Sequence, residues 1–206
     1  MHVEGKKIMI IAPHFDDEII GCGGTICKYR DTFSKLCIVH MTSDDVRINE
    51  FEKIKKMLKC NCHYQLDAED GFISDSKKQC VLSLIEIVQK EKPDIVFVPY
   101  SRDNHVDHIA TNRIAIDAIE KARYWKTQFA AWKTPFILEY EVWSFQEEVS
   151  EVVDITECIN DKLDMMRVYQ SQLDFDYVNY ILYCNGYRGL LFNKKGFSEC
   201  FRQRRI

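Results

Sequence analysis

The chain has 206 residues, of which 46% are hydrophobic, 12% aromatic and 29% charged. That balance excludes a disordered tail and a membrane bundle, and the length suits one domain, residues 1–206, with a sizeable buried core. A formal net charge of −4 offers no attraction for a polyanion, which excludes nucleic acid as the main partner.

In chain order, a polar start leads into Ile8–Ala12, which reads as a strand, and Asp17–Arg30, which carries apolar residues at helical spacing. The pattern repeats: Lys35–Met41 as strand and Arg47–Lys59 as helix, then His63–Leu66 and Asp75–Glu91, then Asp94–Pro99 and Asp107–Tyr124. Pro135–Phe145 reads as a further strand, and Thr156–Ser171 as a helix with Thr156 as its N-cap. After Gln172 the pattern is illegible, and irregular structure with short elements is expected. Repeated strand–helix–strand order predicts an α/β fold, a Rossmann-like three-layer sandwich around a mainly parallel sheet.

No apolar run approaches the roughly 20 residues of a spanning helix, and the first apolar stretch is too short for a signal peptide. The nine cysteines contain no C-x-x-C pair, and Cys60-Asn61-Cys62 lacks zinc-knuckle spacing. Reduced thiols in a soluble, cytoplasmic protein are the expectation.

Ligand sites of parallel sheets lie beyond the carboxyl ends of the strands. Two such ends carry the same chemistry here: Pro13-His14-Phe15-Asp16-Asp17-Glu18 after the first strand, and Asp103-Asn104-His105-Val106-Asp107-His108 after Asp94–Pro99. In each cluster two potential ligands stand three residues apart, so at a strand-to-helix turn they can point the same way. Two imidazoles and one carboxylate form a catalytic zinc set with an open position, and a cation so held lowers the pKa of a water to roughly 7. A carboxylate left over can serve as general base. The competing reading of either cluster alone is a helix-cap acid beside a surface histidine.

The first cluster, followed by Gly21-Cys22-Gly23-Gly24, closely resembles the signature of the LmbE-like, or PIG-L-type, zinc-dependent N-acetylglucosaminyl deacetylases. The second resembles that family's Asp-x-His-x-Asp-His, with Phe15 and Val106 standing where proline is common. Arg47–Glu50, Asp70-Gly71, Ser171-Gln172 and Gly196–Phe201 are similar to weaker family features in the same order. The resemblance implies that His14, Asp17 and His108 bind zinc, one ion per chain, with other divalent ions as alternatives. It implies that Asp16 is the general base and then the acid for the leaving amine. His105 would stabilise the oxyanion, held and kept protonated by Asp107. A small-molecule amino-sugar conjugate is the implied substrate, acetate the product, and a homo-oligomer a compatible assembly.

Arg47 is a candidate for a substrate hydroxyl or phosphate, against a plain helix-terminal pair with Glu50, and Asp70 for sugar hydroxyls, against a turn acid. Glu18 reads as support behind the metal or as a first-turn acid. His40 lacks a partner at ligand spacing, and His2 and His63 read as surface or structural. Tyr140, Trp143, Tyr177 and Tyr180 are candidates for stacking on sugar faces, against core packing. Gly21, Gly23 and Gly24 do not make a dinucleotide fingerprint and instead let the first helix pack closely. Arg202, Arg204 and Arg205 read as a solvated basic tail. Rival functions are a two-metal phosphate-ester hydrolase, a non-catalytic metal-stabilised binding module and, more distantly, a thiol redox protein.

Overall fold

The central strands are short and nearly all apolar, because a strand covered on both faces buries every side chain it carries. Strands β1 (Lys7–Ala12), β2 (Lys35–Thr42), β3 (Cys62–Ala68), β4 (Ile95–Pro99) and β5 (Phe136–Tyr140) run parallel in the computed structural model, which describes residues 1–205. Strands β6 (Glu151–Asp154) and β7 (Ser198–Arg204) extend one edge, β7 antiparallel to both β5 and β6. The sheet order is β3-β2-β1-β4-β5-β7-β6. The strand order therefore reverses between β1 and β4, the place where such sheets open a crevice.

Alternation along each strand divides the core. Ile8, Ile10, Leu36, Ile38, Ile95 and Phe97 face one layer, made by α1 (Asp17–Tyr29), α2 (Asp45–Met57), α5 (Ile159–Val168) and α6 (Tyr177–Asn193). Met9, Ile11, Cys37, Val39, Val96 and Val98 face the other, made by α3 (Lys77–Glu91) and α4 (Val106–Lys121). Each fully buried Ile, Leu or Phe contributes about 1.5–3 kcal/mol, so the register of the two central strands is strongly specified. No helix among the described residues is long and apolar enough to cross a membrane, and the nine cysteines are free.

The strand–helix alternation through residue 121 matches the expectation, and the α/β three-layer architecture is as read. The differences lie later. The segment expected to be irregular after Gln172 holds α6, the longest helix, and the edge strand β7. Strand β5 stops at Tyr140 rather than continuing to Phe145, because Asp103 accepts from the backbone N–H groups of Trp143 and Ser144 and draws the chain off the sheet. Thr156 is not the N-cap of α5. It opens a 3₁₀ turn, Thr156–Cys158, where its hydroxyl donates to Asp154 and accepts from the Phe197 N–H. The same helix ends at Val168, and Gln170–Gln172 form a second 3₁₀ turn. Arg202 and Arg204 are not a solvated tail either. They lie in β7 at 3.6 and 3.5 Å from the fully buried Glu139 of β5, whose charge they offset.

Helix α1 sits close to the sheet because Gly21 has no side chain. A Cβ there would lie 2.1 Å from a ring carbon of Tyr140, which is fully buried and donates its hydroxyl to the Ile11 carbonyl. Gly21→Ala should therefore destabilise the protein by about 1–3 kcal/mol in urea unfolding. An unchanged midpoint would show that α1 is not seated on Tyr140.

Candidate metal centre and active site

The first helix is entered through a strained turn. Asp16 has φ 111° and ψ −32°, a left-handed conformation that costs a non-glycine residue roughly 1–3 kcal/mol. Its N–H donates to the Glu18 carboxylate at 3.0 Å, and its carbonyl accepts from Ile19 and Ile20 at 2.9 and 3.0 Å. This backbone separates the adjacent carboxylates of Asp16 and Asp17. The second helix of the site, α4, is capped by His105, whose Nδ1 accepts from the Asp107 N–H at 3.2 Å, while Asp103 accepts from the His105 N–H at 3.0 Å.

The crevice between β1 and β4 brings the two clusters together. Asp17 Oδ2 lies 3.2 Å from His14 Nδ1 and 3.3 Å from His108 Nε2. His14 Nε2 is 3.0 Å from Asp107 Oδ2 and 3.1 Å from Asp70 Oδ1. The rings of His105 and His108 are 4.8 Å apart, and those of His14 and His105 are 5.2 Å apart. His14, Asp17 and His108 offer ligand atoms that all lie within 4.8 Å of one another, and a second set, His14, His105 and Asp107, does the same. His108 Nδ1 is 3.4 Å from Asp103, but neither of its ring nitrogens makes an aligned hydrogen bond although the ring is fully buried. An imidazole left in that condition costs free energy that coordination would recover. The donor set of two imidazoles and a carboxylate therefore fits a divalent cation.

Electrostatics divides these groups by role. Burial alone would discharge His14, but its contacts with Asp107, Asp17 and Asp70 outweigh burial and push its pKa up to about 12. His108 is likewise opposed by burial but raised to about 9 by Asp17 and Asp103. Burial works against ionised Asp17 as well, and the two histidines overcome it and hold the carboxyl far below the usual range. Asp16 moves the other way. Burial, then the charges of Asp17 and Glu18, lift it well above an ordinary carboxylate, the direction that suits a general base near neutral pH. Its carboxylate makes no hydrogen bond among the described residues.

Asp107 corrects one expectation. Its carboxylate does not pair with His105. It accepts from Gly71 N at 2.6 Å, from Ile73 N at 3.2 Å and from the His14 ring. Burial, then the charges of His108 and His14, lower the His105 pKa, while the charges of Asp107 and Asp17 act to raise it. With Nδ1 accepting from the Asp107 N–H, the remaining hydrogen sits on Nε2, so a neutral ring can still donate.

Asp70 reaches the cluster through its contact with His14, with Gly71 at φ +82° turning the loop. Arg47 lies in the first turn of α2 and pairs with Asp44 at 3.4 Å rather than with Glu50, which accepts from the Ser171 N–H and hydroxyl. Its charge lowers the pKa of both Asp16 and Asp70. Glu18 is fully buried and accepts from the Asp16 N–H, from Tyr169 at 2.6 Å and from the His40 ring at 3.1 Å. The other His40 nitrogen is 2.9 Å from His63, and Phe15 stacks on His40 at 3.9 Å, so His40 supports the turn. Tyr140 is wholly buried and unavailable to a sugar, whereas Trp143, Tyr177 and Tyr180 are half-buried and pack on one another. Sequence reading gave no role to Asp103, which accepts from the His105, Trp143 and Ser144 N–H groups, or to Tyr169. The first Asp of the Asp-x-His-x-Asp-His run was the available signal for Asp103.

A family model described as PIG-L, GlcNAc-PI de-N-acetylase, matches residues 9–119. The chain belongs to this family. The PIG-L match runs from β1 through α4 and so includes both clusters, while α5, α6 and the sheet edge lie beyond it. A diacetylchitobiose deacetylase of Thermococcus kodakarensis is 23% identical over 192 residues, covering 83% of this chain and 72% of that protein. The structure of an N,N'-diacetylchitobiose deacetylase from Pyrococcus horikoshii superposes with a TM-score of 0.83 at 26% identity, covering 97% of this chain and 84% of the other. A 4-carboxy-2-hydroxymuconate hydratase from Pseudomonas putida also shares the fold, with a TM-score of 0.83 at 15% identity over 98% of each chain. The PIG-L fold thus does not choose the reaction, and the site must.

Metal-stripped protein has a pH signature. The rings of His14 and His108 are held protonated in the fold, so their stabilisation is complete below the unfolded value of about 6.5. It is lost as pH rises through about 9 for His108 and onward toward about 12 for His14. The melting temperature of chelator-treated protein should fall across that window, and added zinc should abolish the fall by replacing the protons. A flat profile would contradict the ring environments described above.

Proposed function

We propose that the chain, as one domain of 206 residues, is a metal-dependent hydrolase that removes the N-acetyl group from an N-acetylglucosamine-type amino-sugar conjugate, giving acetate and a free amine. The observation that carries this reading is a buried His14–Asp17–His108 set with the unengaged carboxylate of Asp16 in the adjacent position. The family description and the two archaeal relatives, all deacetylases by name, support the substrate class. Free cysteines are compatible with a reducing, cytoplasmic setting.

His14, Asp17 and His108 would hold zinc or a similar divalent ion, which supplies polarisation of the amide carbonyl and acidification of water. Asp16 takes a proton from the attacking water and returns it to the departing nitrogen, which its raised pKa favours. His105 donates from Nε2 to the oxygen that gains charge. Asp107 fixes His14 and, through its N–H, the tautomer of His105. Arg47 and Asp70 are the proposed contacts to substrate hydroxyls. A two-metal phosphate-ester mechanism has less support, because both candidate ligand sets draw on His14 and a neutral imidazole has one lone pair to give.

Asp16→Asn should lower kcat for acetate release from N-acetylglucosamine conjugates by about 10²–10⁴-fold with metal content unchanged. Full activity in that variant would remove Asp16 as the base. His105→Ala should cost about 10²–10³-fold in kcat with little change in KM. His108→Ala should lose the ion, and stoichiometric zinc in that variant would refute the ligand set.

A further inference from the structure

Three of the nine free thiols, Cys37, Cys60 and Cys62, gather near the start of β2 and of the edge strand β3, at the opposite end of these strands from the metal crevice. Cys37 and Cys62 stand directly opposite each other in the parallel register, so their side chains leave the sheet on the same face. Both pack into the layer of α3 and α4, whereas Cys60 packs into the other layer and donates its thiol to the Cys62 carbonyl at 3.2 Å. Neighbouring strands lie about 4.7–4.9 Å apart, inside the roughly 4.4–6.8 Å between Cα atoms that a disulfide spans. The two sulfurs differ in access: Cys37 is 2% exposed, and Cys62, on the sheet edge, is half-buried.

They differ in acidity as well. The Cys37 thiol donates to the Cys62 sulfur, which lowers the Cys62 pKa, and Lys35 at the head of β2 adds to this against burial and Glu91. The same hydrogen bond, then burial, raises Cys37. Each of the other seven cysteines is raised, with burial the largest cause. The more accessible sulfur therefore carries the thiolate character that makes a nucleophile, and the sheltered one keeps its proton.

We infer that Cys62 and Cys37, facing each other across β3 and β2, are a hydroperoxide-sensitive dithiol in which Cys62 is oxidised first and Cys37 resolves it. The Cys62 sulfur attacks a hydroperoxide, and an S–O bond forms as the O–O bond breaks. The departing oxygen takes the Cys62 proton and leaves as water or an alcohol. The Cys37 sulfur then displaces the oxygen of the sulfenic acid. The S–S bond forms, the S–O bond breaks, and the Cys37 proton departs with that oxygen as water. Both thiols are oxidised to one disulfide, the hydroperoxide is reduced by the two electrons released, and a dithiol reductant reverses the bridge.

The test treats the full chain, reduced and then freed of reductant, with hydrogen peroxide and follows it by mass spectrometry. Intact mass should fall by about 2 Da, and Cys62 and Cys37 should disappear as thiols about tenfold faster than the other seven cysteines. Cys60 and Cys62 share one tryptic peptide, Cys60–Lys77, so the crosslink is mapped in Cys60→Ser protein, where it should join that peptide to Leu36–Arg47. In Cys37→Ser protein the Cys62 sulfenic acid has no resolving thiol. It should be trapped by dimedone and, without dimedone, advance to the sulfinic acid. Cys62→Ser should leave Cys37 reduced. The wild-type time course stands by itself if the substitution of buried Cys37 prevents folding. Retention of all nine thiols at a peroxide dose that oxidises glutathione in the same tube overturns the pair. So does a Cys60–Cys62 bridge, or oxidation of Cys62 in wild-type protein with no bridge to Cys37.

Discussion

The site depends on burying charge where the strand order reverses. His14, Asp16, Asp17, Asp107 and His108 are all buried between β1 and β4. Each ion withdrawn from water forfeits several kcal/mol of hydration unless partners replace it. The loops around the crevice are arranged to supply those partners. Asp17 is shared by two imidazoles, Asp107 is met by the N–H groups of Gly71 and Ile73, and Asp103 by those of Trp143 and Ser144. Thus the turns after β3, β4 and β5, far apart in the chain, take their shapes from one cluster of charge. Asp16 stands apart because its carboxylate is buried without such a partner, and burial with the neighbouring charges of Asp17 and Glu18 raises its pKa.

A second buried ion pair keeps α1 in place behind the cluster. Lys162 of α5, wholly buried, donates to the Ile20 carbonyl, to Asn185 of α6 and to Glu199 of β7. Glu199 also accepts from the N–H groups of Gly24 and Thr25 in α1. Breaking such a pair by removing one partner typically costs 3–5 kcal/mol, so the C-terminal third acts on the site through the seating of its first helix. The close approach of Gly21 to Tyr140 works in the same direction.

The alternation of strands and helices through α4 was legible because each strand is short and apolar and each helix shows a clear stripe. Helix α6 was not, since Tyr177–Asn193 is apolar on all sides, contains Gly186 and Gly189, and carries one charge, Arg188. Periodicity cannot mark a helix with no polar face. It forms because its polar groups find distant partners: Arg188 binds Glu141, and Asn185 donates to the Ser198 carbonyl. The arginines of β7 misled for a related reason. Next to a chain end they look solvated, and the neutralised Glu139 lies on another strand.

Residue types and their spacing at two strand ends were enough to identify the family, the architecture and the pool of histidines and aspartates from which a metal site could be built. They were not enough to say which carboxylate serves which ring. Asp107 is two residues from His105 yet its carboxylate pairs with His14, 93 positions away, because the loop at Gly71 supplies the hydrogen bonds that turn it there. Glu18 is tied to Tyr169 across 151 positions and to His40 across 22. Hydrogen bonds and ion pairs act over a few ångströms and depend on direction. Their partners are therefore chosen by which loops meet at the crevice, a property of the packed sheet that local spacing does not contain.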